Sequence, residues 1–190
     1  MSTYGTTFVI DVAPGSAYRP SNAVRASLVD GFRTRAADGW ERVSVSVSEI
    51  EVVDDLLSGL AAAGTARLAV AEDNDEFGAR WVVARASDGV VEVVHRRYIL
   101  NADPESSDEV DVALEDLDGD PRDADIAGVP AATAAADTFG VAAPAVVDAE
   151  EESATAWEEI GIVGGPFPWW DALGLPWPVP APADARPLDW

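Results

Sequence analysis

His95 is the only histidine of the chain, so any histidine-based catalytic set or metal cluster has to include it. It follows Val93 and Val94 in a valine-rich run in which no neighbouring serine, aspartate or second histidine could complete such a set. We therefore interpret His95 as a strand residue near the end of a sheet, and we predict no catalytic residues and no metal ligands.

Three arginines near this histidine form the next candidate group. Arg80, Arg96 and Arg97 could together bind a carboxylate or a phosphate. The C-terminal half of the chain is rich in carboxylates, however, so we expect these arginines to pair within the chain instead.

An alternating run of aspartates, Asp116, Asp118 and Asp120, resembles the start of a calcium-binding loop. Counted from Asp116, the sixth position is Pro121 instead of glycine, and the twelfth is Ala127 instead of an acid. We therefore predict a solvated turn at a helix end. The Gly164–Gly165 pair is followed by proline and lacks the Lys-Ser or Lys-Thr of a phosphate loop, so no cofactor is predicted.

The C-terminal arm, residues 164–190, combines prolines with large aromatic residues. Five of the seven tryptophans lie at Trp157 or beyond. The prolines predict an extended or turning backbone instead of a regular helix. Such an arm either covers a sheet face or edge of its own domain or presents a partner-binding surface. In the second interpretation the partner-binding residues are Trp169, Trp170, Asp171 and Trp177.

The elements that must position these residues centre on a predicted hairpin over residues 80–99. Asp88-Gly89 separates two valine-rich runs, which is the strongest short signal for a two-residue hairpin turn. Counting outward from the turn predicts the pairs Ser87–Val90, Ala86–Val91, Arg85–Glu92, Ala84–Val93, Val83–Val94, Val82–His95 and Trp81–Arg96. That register opposes the charges of Arg85 and Glu92, and it places Arg96 over the Trp81 ring.

Hydrophobic spacing predicts the elements before the hairpin. Residues 6–12 and 40–48 alternate as strands, and residues 65–71 form a short strand followed by an acidic loop at 72–76. Val24, Leu28, Phe32 and Ala36 recur every fourth residue, which predicts an amphipathic helix over 20–38. Ser48 and Glu51 predict a capping box for a second helix that ends at Gly64.

The predicted fold class is α+β with an α/β-like N-terminal part. We expect a mixed sheet of about five strands in the order β-α-β-α-β-β-β, because strand-helix-strand units favour parallel crossovers. The domain division is a mixed-sheet core (1–101), an acidic helical segment packed on it (102–163) and the Trp/Pro-rich arm (164–190). The helices of the middle segment are predicted from Asp103-Pro104 onward, over 130–139 and over 144–160.

The formal charge of −23 excludes some classes of partner. Residues 1–100 contain ten Arg and 14 acidic residues, whereas residues 101–190 contain two Arg and 21 acidic residues. Such a field repels nucleic acids and anionic lipids and attracts a basic protein. The chain has no cysteine, no basic segment followed by an apolar run at its start and no apolar stretch long enough to cross a membrane, so we expect a cytoplasmic protein.

The run Arg96-Arg97-Tyr98-Ile99-Leu100-Asn101-Ala102-Asp103-Pro104, taken with residues 164–177, resembles an uncharacterised actinobacterial protein family of unknown function. The resemblance covers most of the chain. It implies a bacterial cytoplasmic setting, and it assigns no activity, cofactor or functional residue.

The leading functional hypothesis is a non-enzymatic acidic protein-interaction module that binds a basic partner, and an immunity-like or inhibitory role is a specific form of it. One alternative is a small-ligand enzyme with a carboxylate/Arg cleft between the sheet and the C-terminal helices. Another is a structural subunit of a larger assembly. The sequence leaves the oligomeric state open.

Overall fold

The computed structural model describes residues 4–48, 52–74, 78–100, 121–160, 167–176, 181–188 and 190. Seven strands form one sheet between two layers of helices. The strands are β1 (Tyr4–Val12), β2 (Leu28–Arg35), β3 (Glu41–Val47), β4 (Ala66–Asn74), β5 (Gly78–Ser87), β6 (Val90–Leu100) and β7 (Arg186–Pro187). The helices are α1 (Asn22–Ala26), α2 (Val53–Ala63), α3 (Val129–Phe139), α4 (Ala143–Ile160) and α5 (Phe167–Ala172), with a 3-10 turn at Pro121–Ala124.

The sheet has the order β6-β5-β4-β1-β3-β2-β7, and every pairing between these strands is antiparallel. β3 and β4 flank β1 and therefore run in the same direction, with α2 as the connection between them. This is a split β-α-β unit, in which the crossover passes over an intervening strand. The α+β class is confirmed, and the sheet is larger than predicted and purely antiparallel rather than mixed.

One segment with a wrongly predicted structure explains why the sheet is antiparallel and not mixed. The helix predicted over 20–38 is limited to α1, and residues 28–35 form β2 instead. A spacing of four residues fits the helical period, but it is also twice the period of a strand. Phe32, Thr34 and Ala36 are buried in alternation, as one face of a strand requires. The additional strand forms a hairpin with β3, which pairs antiparallel with β1 as well.

One sheet face, which we call the α2 face, packs against α2. Its core contains Phe8, Ile10, Val45, Leu68 and Val82 from the strands and Leu56 and Leu60 from the helix. The helix begins at Val53 instead of at the predicted capping box, and Gly64 follows its end with a positive φ of 94°. Ser48 lies beyond the end of β3, and its backbone N–H donates to the Ser27 carbonyl at 2.9 Å.

The opposite face, which we call the Trp169 face, packs against α3, α4 and α5. Its core combines small and large side chains: Val9, Ala69, Trp81 and Val83 from the sheet, and Ala132, Ala136, Phe139, Val146, Trp169 and Trp170 from the helices. The alanines of α3 allow this helix to approach the sheet closely, while the tryptophans fill the space beside it.

The C-terminal arm differs from its predicted conformation at one point. Residues 167–172 form α5, because Pro168 lies in the first helical turn, where its missing N–H removes no helical hydrogen bond. Farther along, β7 pairs with β2, and the Trp190 ring packs edge-on against Tyr18 at 6.1 Å on the α2 face. The described parts of the arm thus contact both faces of the sheet.

The acidic loop predicted at 72–76 is wrong at its start, because β4 continues through Asn74. The helix predicted from Asp103-Pro104, the aspartate run 116–120 and Trp177 lie outside the described residues.

Candidate functional site

The β5–β6 hairpin positions the only histidine. Asp88 and Gly89 both have positive φ, 53° and 79°, as the predicted two-residue turn requires. The four predicted pairs nearest the turn are confirmed, and Arg85 and Glu92 form an ion pair of 2.7 Å.

Beyond those pairs the predicted register is wrong by one residue. A β-bulge next to Val94 shifts the pairing, so that Val83 opposes His95, Val82 opposes Arg96 and Trp81 opposes Arg97. One extra residue moves every later side chain of the strand to the other face. His95 therefore lies on the Trp169 face, and Arg97 replaces Arg96 over the Trp81 ring, at 5.9 Å from its centroid.

His95 is enclosed between two tryptophans and a carboxylate. Its side chain is 0% exposed, its ring centroid lies 4.2 Å from that of Trp169, and it stacks on Trp81 at 6.4 Å. Its Nε2 lies 3.1 Å from Oε2 of Glu150, which is on α4. This side-chain hydrogen-bond partner of His95 thus comes from a residue 55 positions away in the chain.

Glu150 links three elements through its carboxylate. Oε1 accepts a hydrogen bond of 2.7 Å from the backbone N–H of Gly128, just before α3, and lies 3.2 Å from Nη1 of Arg97. Burial acts to raise the pKa of Glu150, but the hydrogen bonds from His95 and Gly128 and the charges of His95 and Arg97 lower it overall. The carboxylate is therefore ionised at neutral pH and accepts a hydrogen bond from the Nε2–H of His95.

Four buried polar atoms around His95 have no hydrogen-bond partner among the described residues. They are Nδ1 of His95, Nε1 of Trp81, Nε1 of Trp169 and Oγ of Ser153, which is 0% exposed and one helical turn after Glu150. The described part of the chain contains no group of three or more His, Asp or Glu side chains that could hold a metal ion. The arrangement is a buried, charge-assisted contact that fixes α4 on the sheet.

A second buried ionic cluster lies on the same face. Asp11 is 0% exposed and accepts two hydrogen bonds from Arg42, of 2.6 and 2.7 Å, and one of 2.8 Å from Arg67. Arg67 lies between the rings of Trp40 and Phe139, and both arginines also donate to main-chain carbonyls, of Gly174 and Thr138. The cluster ties the central strands to the ends of α3 and α5.

Arg80 and Arg97 pair within the chain, as expected, and do not form a joint cationic group. Arg97 contacts Glu150, whereas Arg80 pairs with Glu72 at 2.7 Å. Trp81 is the register partner of Arg97 and directly follows Arg80, so the two arginines point to opposite sides of the sheet.

The predicted partner-binding residues occupy different environments. Trp169 and Trp170 are 1% and 2% exposed and lie against the sheet, whereas Asp171 is exposed and Trp177 is outside the described residues. A partner would have to displace α5 to reach either buried indole. Their role in partner binding stays a prediction.

Four charged residues of these two clusters were not predicted as site residues: Glu150, Asp11, Arg42 and Arg67. A charged residue between apolar residues of a strand, such as Asp11 between Ile10 and Val12, is a signal of an internal ion pair. Its partners Arg42 and Arg67 lie on the two strands that flank β1, so they become recognisable only once the strand order is known.

The outer surface of α4 carries unpaired carboxylates. Asp148, Glu151 and Glu152 are exposed and lie three and four residues apart on the helix, which places them on one side of it. Asp137 on α3 and Asp171 on α5 are also exposed. Among the described residues, none of these five carboxylates forms an ion pair, and the sequence contains no Lys, Arg or His between Arg122 and Arg186.

Comparisons with protein-family models, with curated proteins and with solved structures give no match to this chain. This result is consistent with an uncharacterised family, and it transfers no activity, ligand or partner to the chain. None of the described helices is long and apolar enough to cross a membrane.

Proposed function

We propose that this chain is a non-enzymatic protein-interaction module of the bacterial cytoplasm whose acidic outer surface binds a basic protein partner. The observation that carries the proposal is the set of unpaired, exposed carboxylates on α4: Asp148, Glu151 and Glu152. A partner with arginines or lysines at matching positions would gain charge pairs and faster association.

The energetics of the helix support a binding role for these carboxylates. Like charges three or four residues apart each cost a helix about 0.2–0.5 kcal/mol. No cationic side chain of α4 offsets that repulsion, since the helix contains no Lys or Arg. The inner side of the same helix does have a charged contact, from Glu150 to His95 and Arg97. The outer side is therefore costly for the isolated protein and favourable in a complex with a cationic surface.

The test compares two variants of equal net charge. One carries Asp148→Asn, Glu151→Gln and Glu152→Gln, and the control carries Asp30→Asn, Asp54→Asn and Asp184→Asn at exposed sites elsewhere. Partners captured at low salt are identified and titrated by calorimetry. We expect the first variant to bind about tenfold more weakly, or about 0.5 kcal/mol per charge, and the control to bind like the unmodified protein.

Salt provides the second criterion. Exposed charge pairs are strongly screened once the Debye length falls to about 8 Å at physiological ionic strength. The affinity for the partner should therefore fall steeply with added salt. An affinity that does not depend on salt, or an equal loss in both variants, would contradict the proposal.

One observation favours a small-ligand enzyme as a second candidate. Arg97 and Glu150 converge as that hypothesis requires, and His95 lies beside them. The imidazole is 0% exposed, so a ligand would need the helical layer to open. A stabilising shift of Tm by a small carboxylate or phosphate, lost in Arg97→Gln, would support this candidate.

A further inference from the structure

The outer edge of β6 is covered over only part of its length. The backbone groups of Arg96 exchange two hydrogen bonds with Ile126, of 2.9 and 2.8 Å, and the N–H of Tyr98 donates to Oδ1 of Asp125 at 3.0 Å. Among the strands of the sheet, β6 pairs only with β5. The stretch between the turn and the bulge, Val90–Val93, therefore borders no other described strand on its outer side.

The register shows which backbone groups of this stretch point outward. In a two-residue hairpin, the pair that closes the turn is hydrogen-bonded, and bonded and non-bonded pairs then alternate. Val90 and Glu92 consequently bond to β5, while the N–H and C=O groups of Val91 and Val93 point away from it. The extra residue at the bulge makes Arg96 and Tyr98 the next outward residues, which agrees with their bonds to Ile126 and Asp125.

Apolar surface accompanies these outward groups. The side chains of Val91 and Val93 are half-buried at the margin of the α2-face core. Val90 is 71% exposed, and Ile126, which lies beside the covered part of the edge, is 43% exposed. An additional strand would bury more of these valines and pair with backbone groups that have no partner on another described strand.

The charges near the edge of β6 indicate which kind of segment could pair with it. Carboxylates are exposed along the hairpin and along the covering segment, at Asp88, Glu92, Asp123 and Asp125. Arg85 offsets one of them through its pair with Glu92. A second copy of the chain would bring another formal charge of −23 to this edge, so a basic segment is favoured over self-association.

We propose that the edge of β6 at Val91 and Val93 accepts an extended, basic segment of the protein partner as an additional strand. This inference rests on the proposed function and names the mode by which the partner is held: backbone hydrogen bonds to the two valines, with cationic side chains near the hairpin carboxylates. The carboxylates of α4 then bind the folded remainder of the partner.

The test uses a nine-residue peptide of alternating lysine and valine as the probe, with the isotope-labelled full chain. A control peptide has the same sequence with N-methyl groups at alternate backbone nitrogens, so that it keeps its charge and loses donors along one edge. We expect amide exchange of Val91 and Val93 to slow at least about tenfold on binding of the unmethylated peptide. The amides of Val90 and Glu92, already bonded to β5, should not change and act as internal controls.

A backbone variant separates this mode from nonspecific attraction. Val93→Pro removes an outward N–H without removing a bond to β5, and retained exchange protection at Val90 and Glu92 reports that the hairpin is intact. We expect it to reduce peptide binding at least about tenfold.

Three results would overturn the edge site. They are peptide-induced shifts confined to α4, the absence of peptide binding at low salt, and protection of Val91 and Val93 through dimer formation without peptide. None of them contradicts the proposed function, which is judged by the titration of the α4 charge variants with the captured partner.

Discussion

Glu150 lies 3.1 Å from His95 across the boundary between α4 and β6, and the β-bulge next to Val94 makes this contact possible. In a regular ladder without the bulge, Val94 would oppose Val83 and His95 would oppose Val82, whose side chain belongs to the α2-face core. The bulge thus selects the sheet face to which the histidine belongs, and it brings Arg97 to that face as well.

Insertion of one alanine after Val94 should therefore be far more damaging than deletion of Val94. The deletion removes the extra residue and leaves His95 opposite Val83, whereas the insertion would turn His95 and Arg97 toward the α2 face or require a second extra residue in the bulge. We expect loss of the folded state or a large fall in the urea midpoint for the insertion, whereas the deletion should cost about 1–3 kcal/mol, as should Val94→Ala. An insertion variant as stable as the deletion variant would show that the register does not fix the face of His95.

Replacement of Glu150 by glutamine should weaken the attachment of α4. The variant keeps the shape of the side chain but loses the charge that pairs with Arg97 and accepts from His95 and Gly128. We expect the free energy of unfolding to fall by about 2 kcal/mol in urea denaturation, as for hydrogen bonds to a charged group. Glu151→Gln on the exposed side of the same helix is the matched control and should change it by less than about 0.5 kcal/mol.

The same carboxylate should make stability depend on pH in the acidic range. The folded protein holds the pKa of Glu150 below its ordinary value of 4.5, so the unfolded chain binds the proton first as the pH falls. Its contribution to stability is complete well above pH 4.5 and is lost as the pH falls through the lowered pKa. The stability difference between the unmodified protein and Glu150→Gln should therefore be constant near neutrality and shrink below that pH. A difference that grows on acidification would contradict the assigned direction.

The elements that were predicted correctly have sequence signals that fit only one kind of structure. Asp88-Gly89 fixes its turn because both positions need positive φ, and alternating valines identify β3. Residues 28–35 were mistaken for a helix because apolar residues four apart fit either period. The preceding Ser21 does cap a helix, since its side chain accepts from the N–H of Val24, but this helix ends after five residues.

The candidate site was less predictable because its contacts are long-range. Val93 and Val94 are the same residue type, so the hydrophobic pattern gives no sign of which register the strand adopts beyond them. His95 and Glu150 meet only after α4 has packed on the sheet. The glutamate is one of three consecutive acids, and the sequence does not distinguish the inward residue from the two outward ones.

Asp11 offers a test of the second buried cluster. Replacement by asparagine would leave the guanidinium group of Arg42 with no full counter-charge, while Arg67 would keep only its ion pair of 2.9 Å with the more exposed Asp38. Loss of one partner of a buried ionic group costs about 3–5 kcal/mol, and we expect a fall of that size in the free energy of unfolding. Asp30→Asn, at an exposed position of β2, should be nearly neutral. A small effect at Asp11 would mean that solvent reaches the two arginines.

The tryptophans of α5 provide the last prediction, which concerns the two interpretations of the C-terminal arm. Trp169 packs on His95 and Trp170 on the same sheet face, so removal of either indole opens a cavity under the helix. We expect Trp169→Ala to cost about 3–5 kcal/mol in chemical denaturation and deletion of residues 164–190 to prevent stable folding. Asp171→Asn, on the exposed side of the same helix, should leave stability within about 0.5 kcal/mol of the unmodified protein. If the truncated chain were soluble, folded and equally stable, the arm would not be a cover for the sheet, and its indoles would be free to serve a partner.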